Sequence, residues 1–424
     1  MLTTDVIQEF LKNLPRERFA IAFSGGGDSA ALVHLCRNIS PKPLILIVDH
    51  GLRNGSDVEA KSADVFAREL GLESRILTWK HDNPRTGLQE KARRARYGLM
   101  GRICRETNIR YLLTAHNQDD QAETLLMRYE KRTGWRGAAG MGARVYAPVW
   151  PELATITVLR PLLEMSREDL RDYNRQHGVE WIEDPSNQNL VFERVRARQY
   201  LSARPIVANH LLTDARVLRE GIETEKRILW RYFENRVRID ENGLATLSGS
   251  IPKKAWEYLL LAAGGGDKPI SETKLGRIQE LSALPTFKGL TLGGARIVSH
   301  RDKFLIGPDP GPYTGRNHVS PISERILKPG ESTIWGGRFK ITAQDDPIVI
   351  KTIQNMAGKA HTTFEKNHLK TTIKPTESGK GRFTMAMPFI FDESGRLLSS
   401  IFENRDAGYF HSLVENRLQG FLRI

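Results

Sequence analysis

Short apolar runs alternate with amphipathic stretches over the first two hundred residues. Residues 19–23, 44–49, 74–79, 111–115 and 156–162 are brief runs of apolar and β-branched side chains, the pattern of strands. Between them apolar positions recur at helical spacing. Residues 58–70 stop at Gly71, a residue that readily ends helices. Residues 88–105 place Leu88, Ala92, Leu99 and Ile103 on one face, and Thr86 followed by Gln89 has the spacing of a capping box. Alternating strands and helices predict parallel strands joined by crossover helices. The expected fold is α/β, a doubly wound, mainly parallel sheet whose ligands bind beyond the carboxyl ends of its strands.

The alternation stops after Pro205. Residues 210–238 read as one or two helices rich in Arg and Glu, and 244–307 mix helix with short strands, with "LAAGGGDKP" as a loop. Residues 307–317 are rich in Pro and Gly and suit a linker. Beyond them "STIWGGRFKITA" and "PFIFDESGRLLSSIF" carry short β-like runs. The 424 residues are thus expected to divide into a sheet domain over 1–204, a helical middle domain over 205–310 and a small β-rich C-terminal domain over 318–424.

Composition narrows the class. Hydrophobic residues make up 40% and charged residues 27%, as in a water-soluble globular chain. No stretch approaches the ~20 apolar residues of a spanning helix, and the early acids of "MLTTDVIQEF" do not suit a signal peptide, so a cytoplasmic protein without a membrane partner is expected. The two cysteines, Cys36 and Cys104, lie far apart and are too few for a zinc or iron–sulfur site. The net charge of +13 favours a polyanionic partner, nucleic acid first among them.

The segment "FAIAFSGGGDSAALVHL" reads as strand, glycine turn and helix. Gly25, Gly26 and Gly27 let backbone N–H groups approach a phosphate, Ser24 and Ser29 add hydroxyls, and the helix start contributes its positive dipole end. The string lacks the Lys-Ser/Thr of a Walker A loop, carrying Asp28 before Ser29 instead. A carboxylate beside a triphosphate requires an intervening cation, so Asp28 points to Mg²⁺-bound nucleotide. A second cluster follows the fourth run. His116, Asp119, Asp120 and Glu123 crowd a helix start at a ligand-facing edge, and one Asp would suffice for capping. Arg160 stands at the end of the fifth run, where a guanidinium suits developing phosphate charge.

"SGGGDS" matches the signature of the PP-loop ATP pyrophosphatases, which cleave ATP between the α and β phosphates. "VDHGLR" (48–53), "ARRARY" (92–97), "TAHNQDDQAET" (114–124) and "RPLLEMSREDLRDY" with "WIEDPSN" (160–187) further resemble the tRNA(Ile)-lysidine synthetases. The resemblance is carried by the first two hundred residues and is weaker beyond them. It implies ligation of free L-lysine to C2 of the wobble cytidine of an isoleucine tRNA with a CAU anticodon, through an adenylated tRNA. ATP with Mg²⁺ would be bound by Ser24, Gly25, Gly26, Gly27, Asp28 and Ser29, with Asp49 and His50 lining the adenosine pocket, Asp28 as the metal ligand and Arg53 near phosphate. Asp28, His116, Asp120, Glu123 and Arg160 are the catalytic candidates. Asp119, Asp120 and Glu123 compete for the role of lysine recognition. Arg93, Arg96, Arg194 and Arg196 would meet tRNA, as would the middle and C-terminal domains, and the resemblance allows a homodimer. The chain departs from the resembled pattern at Val195, where Asn is usual, and over residues 130–142, where a shorter loop is usual. A tRNA thiolase and a non-catalytic tRNA-binding module are the competing readings. Cysteine usage argues against the first, and the intact loop and acid cluster argue against the second.

Overall fold

A computed structural model describes Gln8, Lys12 and residues 16–422, apart from 53–54, 82–85, 184–189, 241, 301, 312–323, 352–382, 384–386, 395, 401–407 and 409. Arg53 and most of the expected linker lie outside the described residues. The chain divides into two compact units, one through Glu225 and one from Lys226 to Arg423.

The first unit is built on β1 (Ala20–Phe23), α1 (Gly27–Cys36), β2 (Leu44–Asp49), α2 (Ser56–Glu69), β3 (Glu73–Thr78), α3 (Leu88–Glu106), β4 (Tyr111–Leu113) and α4 (Gln118–Glu130). There follow a single-turn helix α5 (Trp135–Ala138), β5 (Arg144–Tyr146), β6 (Thr157–Leu159), α6 (Arg167–Gln176) and α7 (Glu193–Ser202). The strand order is β3-β2-β1-β4-β6-β5, parallel throughout except for β5 against β6. All five predicted strands form, and β5, only three residues long, was not predicted. Successive residues are buried on opposite faces: Ile21, Ile45, Leu113 and Leu159 in one core, Ala20, Leu44, Leu112 and Val158 in the other. Burial on both faces explains why these strands read as unbroken apolar runs.

Two sequence expectations are corrected here. Thr86 and Gln89 do not form a capping box; α3 starts after Gly87, whose φ of 64° is left-handed, with no side chain capping it. The buried face of α3 comprises Ala92, Tyr97, Met100, Gly101, Ile103 and Cys104, while Leu88 is exposed. The predicted stop at Gly71 does occur, with φ 69° just beyond α2.

The order of strands places a switch point between β1 and β4. The chain runs outward from β1 to β3 on one side, then returns to β4 and β6 on the other. The turns after β1 and β4 therefore leave the sheet side by side in opposite senses, opening a crevice at the carboxyl edge. Helices α1 and α4 both start there.

One long helix, α8 (Pro205–Arg236), spans the division at Glu225 and Lys226. The second unit continues with β7 (Arg238–Ile239), β8 (Ala245–Ser248), α9 (Lys253–Gly264), α10 (Glu272–Ser282), β9 (Gly289–Leu292), β10 (Ala295–His300) and β11 (Lys303–Pro308). Its five-stranded antiparallel sheet, β7-β8-β11-β10-β9, shares a core with Trp256, Leu260 and Leu275 of the helices. Helix α9 ends at the expected glycine loop, with Gly265 left-handed at φ 73°. Then come β12 (Arg325–Leu327), β13 (Ser332–Trp335), β14 (Phe339–Thr342), β15 (Ile348–Lys351), β16 (Phe389–Phe391), β17 (Leu397–Ser400), β18 (Phe410–Ser412) and α11 (Val414–Leu422). They form two small antiparallel sheets, β12-β15-β16-β17 and β13-β14-β18. The architecture is thus the expected α/β sheet followed by helices and β-rich structure. Among the described residues no helix is long and apolar enough to cross a membrane.

Candidate active site

The loop from Ser24 to Ser29 is held from several sides. Gly25 has φ +80°, a left-handed backbone that favours glycine, and a Cβ there would press on Ile182 Cδ1 at 3.1 Å. Ile182 donates its N–H to the Gly25 carbonyl at 2.9 Å. A Cβ on Gly27 would meet the Trp181 ring at 3.3 Å. Ser29 donates its hydroxyl to the Gly26 carbonyl at 2.9 Å and accepts the Ser24 N–H at 3.3 Å. The fully buried Asn174 of α6 donates to the Gly27 carbonyl at 2.9 Å. No side chain caps α1 at Gly26. An uncapped helix start with its positive dipole end suits an anion.

Asp28 occupies the first turn of α1. Burial holds its carboxyl above the ordinary range, Arg167 at 3.6 Å pulls it back, and Asp120 and Asp119 push with burial. An ionised Asp28 would therefore gain from a cation. Among the described residues no cluster of three or more His, Cys, Asp or Glu is arranged for a metal. Any Mg²⁺ here would take Asp28 and complete its shell from phosphate oxygens and water, which is how Mg²⁺ commonly sits on nucleotides.

The acid cluster lies at the start of α4. Asn117 is the N-cap: its side chain accepts the Asp120 N–H at 2.8 Å, and Asp120 accepts the Asn117 N–H at 3.2 Å. One acid thus does cap the helix. The other two face outward from it to arginines remote in sequence. Asp119 accepts the backbone N–H of Arg167 at 2.7 Å. Glu123, 1% exposed, accepts Arg194 Nε and Arg198 Nε at 2.7 Å each and Arg167 Nη1 at 3.3 Å. Asp120 pairs with Arg167 at 3.0 Å and Arg194 at 3.1 Å.

These contacts divide the carboxylates electrostatically. Burial opposes the charge on Glu123, but hydrogen bonds from Arg198 and Arg194 outweigh it and hold the carboxyl below the ordinary range. For Asp120 burial prevails over Arg194 and Arg167, so its carboxyl lies above that range. Asp120 is accordingly the better proton acceptor of the two.

His116 precedes the cap, with Nδ1 2.9 Å from Thr114 Oγ1. Burial, then Arg160 and Arg194, push it down to about 2, so the imidazole is neutral in ordinary buffers. Arg160, 5% exposed, donates from Nη1 to the Gly142 carbonyl at 2.7 Å, while its N–H bonds the Ala143 carbonyl at 2.8 Å. Arg93 and Arg96 lie 4.9 and 5.2 Å from the centre of the buried Tyr97 ring.

Asp49 accepts the Gly51 N–H at 2.9 Å and the Ser56 hydroxyl at 2.7 Å, holding the turn between β2 and α2. His50 stands edge-on to Trp79, and burial followed by Arg96 lowers its pKa. Arg196 donates to the carbonyls of Leu190 and Val191 at 2.8 and 2.9 Å. The structure therefore brings Asp28, Asp119, Asp120, Glu123 and Arg194 into one cluster. Arg196 makes its contacts with backbone outside it.

Residues 130–142, atypical in sequence, are firmly seated. Gln121 donates to the Met141 carbonyl at 2.9 Å and accepts the Met141 N–H at 2.7 Å. Arg128 donates to the carbonyls of Gly137 and Gly140. Arg167, Asn174 and Gln121 received no site role from sequence, and Arg198 stood only as the second arginine of the resembled R-N-x-x-R pattern, which Val195 breaks. Arg167 had a further local signal: Ser166 and Asp169 form a capping box, which fixes the start of α6. Cys36 and Cys104 are both fully buried, and burial pushes each thiol up to about 12, so neither supplies a thiolate.

The chain matches the PP-loop domain model over residues 2–204. It is 37% identical over 305 residues to a tRNA(Ile)-lysidine synthase of Hyphomonas neptunium, covering 69% of this chain and 82% of that relative. It is 42% identical over 341 residues to the tRNA(Ile)-lysidine synthase of Wolbachia pipientis wMel, covering 76% of each. Among solved structures it aligns with a U34-tRNA thiolase from Methanococcus maripaludis at 17% identity and a TM-score of 0.43, over 51% of this chain and 78% of that one. On its glycine loop, its acid cluster and these extended identities, the chain belongs to the tRNA(Ile)-lysidine synthase family.

Proposed function

We propose that this protein ligates free lysine to C2 of the wobble cytidine of an isoleucine tRNA with a CAU anticodon, converting ATP to AMP and pyrophosphate. Family membership supports the overall reaction. The observation that carries the chemical reading is that Asp28 of the phosphate loop and the carboxylates of Asp120 and Glu123 meet on a single guanidinium. A site for phosphates and a site for an ammonium are thereby contiguous.

The cytidine C2 oxygen attacks the α-phosphate of ATP and pyrophosphate leaves. The loop's N–H groups and the α1 dipole hold the phosphates, and Mg²⁺ beside Asp28 would supply charge neutralisation there. The ε-amine of lysine then attacks C2 and expels AMP. That amine, with a usual pKa near ~10.4, must first lose a proton. Asp120, whose carboxyl burial raises, is the proposed acceptor, and Asp119 and Glu123 orient the amine. Neutral His116 serves as a hydrogen-bonding partner rather than a charge. Arg160 shapes the wall through Gly142 and Ala143. Arg93 and Arg96, beside Tyr97, are proposed to meet the tRNA; Asp49 and His50 line the adenosine side. Arg194 acts through Glu123 and Asp120, while Arg196 supports its own segment. The regions 205–310 and 318–424 are proposed to grip the tRNA body through phosphates, consistent with the net charge of +13.

Incubation with CAU-anticodon tRNA, ATP and labelled lysine tests the reading. Lysine should appear in the tRNA, with AMP formed in equal amount. Pyrophosphate release with no lysine transferred would overturn the choice of lysine as the attacking amine, and the absence of both would overturn the adenylating reading.

A further inference from the structure

Arg167 is placed with more care than a surface ion pair needs. It is the first residue of α6, where the helix dipole disfavours a cation. Its position is fixed through the backbone. Its N–H bonds Asp119 at 2.7 Å, and the Gln118 N–H bonds the Met165 carbonyl at 2.8 Å, so the starts of α4 and α6 are stitched together. Further along α6, Asn174 holds the Gly27 carbonyl, and the Tyr173 hydroxyl lies 2.8 Å from His34 Nδ1 of α1. Helix α6 is thus a strut between the phosphate loop's helix and the acid cluster. The guanidinium, on a side chain only 16% exposed, contacts Asp120 at 3.0 Å, Glu123 at 3.3 Å and Asp28 at 3.6 Å.

The distances rank the contacts. A cation arriving at Asp28 would release the longest of them and leave the two to α4. Glu123 also has Arg194 and Arg198, whereas among the described residues Asp120 pairs with Arg167 and Arg194.

We propose that Arg167 is a positioning residue for the amine-transfer step: it holds the carboxylates of Asp120 and Glu123 in register for the incoming ammonium and ties that register to the phosphate loop. The proposal rests on the lysine-ligation reading. It assigns Arg167 a role in the second half of the reaction, although it also touches the loop used in the first.

The test uses the full-length protein with Arg167→Ala and Arg167→Lys, checked for folding by thermal melting. Pyrophosphate release from ATP and tRNA without lysine reads the first half; lysine incorporation against lysine concentration reads the second. In Arg167→Ala the lysine KM should rise about tenfold or more, with lysine-free pyrophosphate release within about threefold of the parent. Arg167→Lys should fall between, because an ammonium keeps the charge but cannot span two carboxylates. Millimolar methylguanidinium should lower the lysine KM of Arg167→Ala, which a purely structural role would not allow. A parental lysine KM in both variants, or an equal loss in both halves, would overturn the proposal. If Arg167→Ala does not fold, Arg167→Lys decides by the same split. If the parent protein itself transfers no lysine, the functional reading has failed, an outcome distinct from a parent that works with indifferent variants.

Discussion

The two halves of the site are built in opposite ways. The phosphate loop draws its chemical groups from one stretch: six consecutive residues supply its glycines, its hydroxyls and its carboxylate, and its internal bonds span at most five positions, although Ile182 and Asn174 brace its backbone from outside. The acid cluster is assembled across the chain. Glu123 takes its partners from 44, 71 and 75 residues away. A loop of the first kind can be damaged without harming the fold. A buried charge cluster of the second kind is part of the fold, because three guanidiniums stay packed around whatever replaces the carboxylate.

Glu123→Gln tests that contrast most strongly. Removing one partner of a buried ion cluster typically costs about 3–5 kcal/mol. At roughly 2–4 °C per kcal/mol for a unit of this size, the melting temperature should drop by roughly 10 °C, and lysine transfer should fail. An unchanged melt would mean that the cluster is not structural. Asp28→Ala should do the reverse. AMP release should fall by about 10²–10³, typical for loss of a preorganised electrostatic contact. Its melting temperature should stay within a few degrees of the parent's, since burial already disfavours the Asp28 charge. A large melting shift without loss of AMP release would remove Asp28 from the chemistry.

Gly25→Ala is a milder break in the loop. A left-handed backbone costs a Cβ-bearing residue about 1–2 kcal/mol, and Ile182 must yield as well. The ATP KM should rise while the lysine KM holds; a parental ATP KM would show that the loop tolerates a side chain there.

The smallest effect concerns pH. His34 and His116 have folded pKa values of about 4 and about 2, against 6.5 for the free side chain. Below 6.5 the unfolded chain binds protons that the folded chain refuses. Their contribution to stability is therefore complete above pH 6.5 and declines as pH falls toward 4 for His34 and toward 2 for His116. Melting temperatures measured from pH 7.5 to 5 should fall, and His34→Gln should flatten part of that slope. An unaltered slope would exclude His34 as a contributor.

Legibility follows the same division. Four of the five predicted strands were readable because burial on both faces leaves apolar runs that need no knowledge of partners; in β3 burial alternates, with Ser74 and Leu77 buried and Ile76 exposed. Three-residue β5 offered no such run. The capping box expected at Thr86 failed because Gly87 turns the chain left-handed just before α3. The glycine loop was legible because its chemistry is contiguous. The acids of α4 were legible as a group, but their individual states were not: Asp120 and Glu123 look alike in sequence, and burial raises one while arginines lower the other.

By itself, the sequence determined a parallel α/β sheet, an adenylating phosphate loop without a Walker lysine, and a carboxylate-rich helix start after the fourth strand. These rest on local periodicity and on contiguous residue types, which act over a few positions. Only the tertiary structure decided that the glycine loop and the acid cluster adjoin at the switch point between β1 and β4, that Arg167, Arg194 and Arg198 close around the acids, and that burial raises one carboxyl while arginines lower the other. Those outcomes depend on burial and on charges brought together from distant positions, and neither is encoded in any single stretch of the chain.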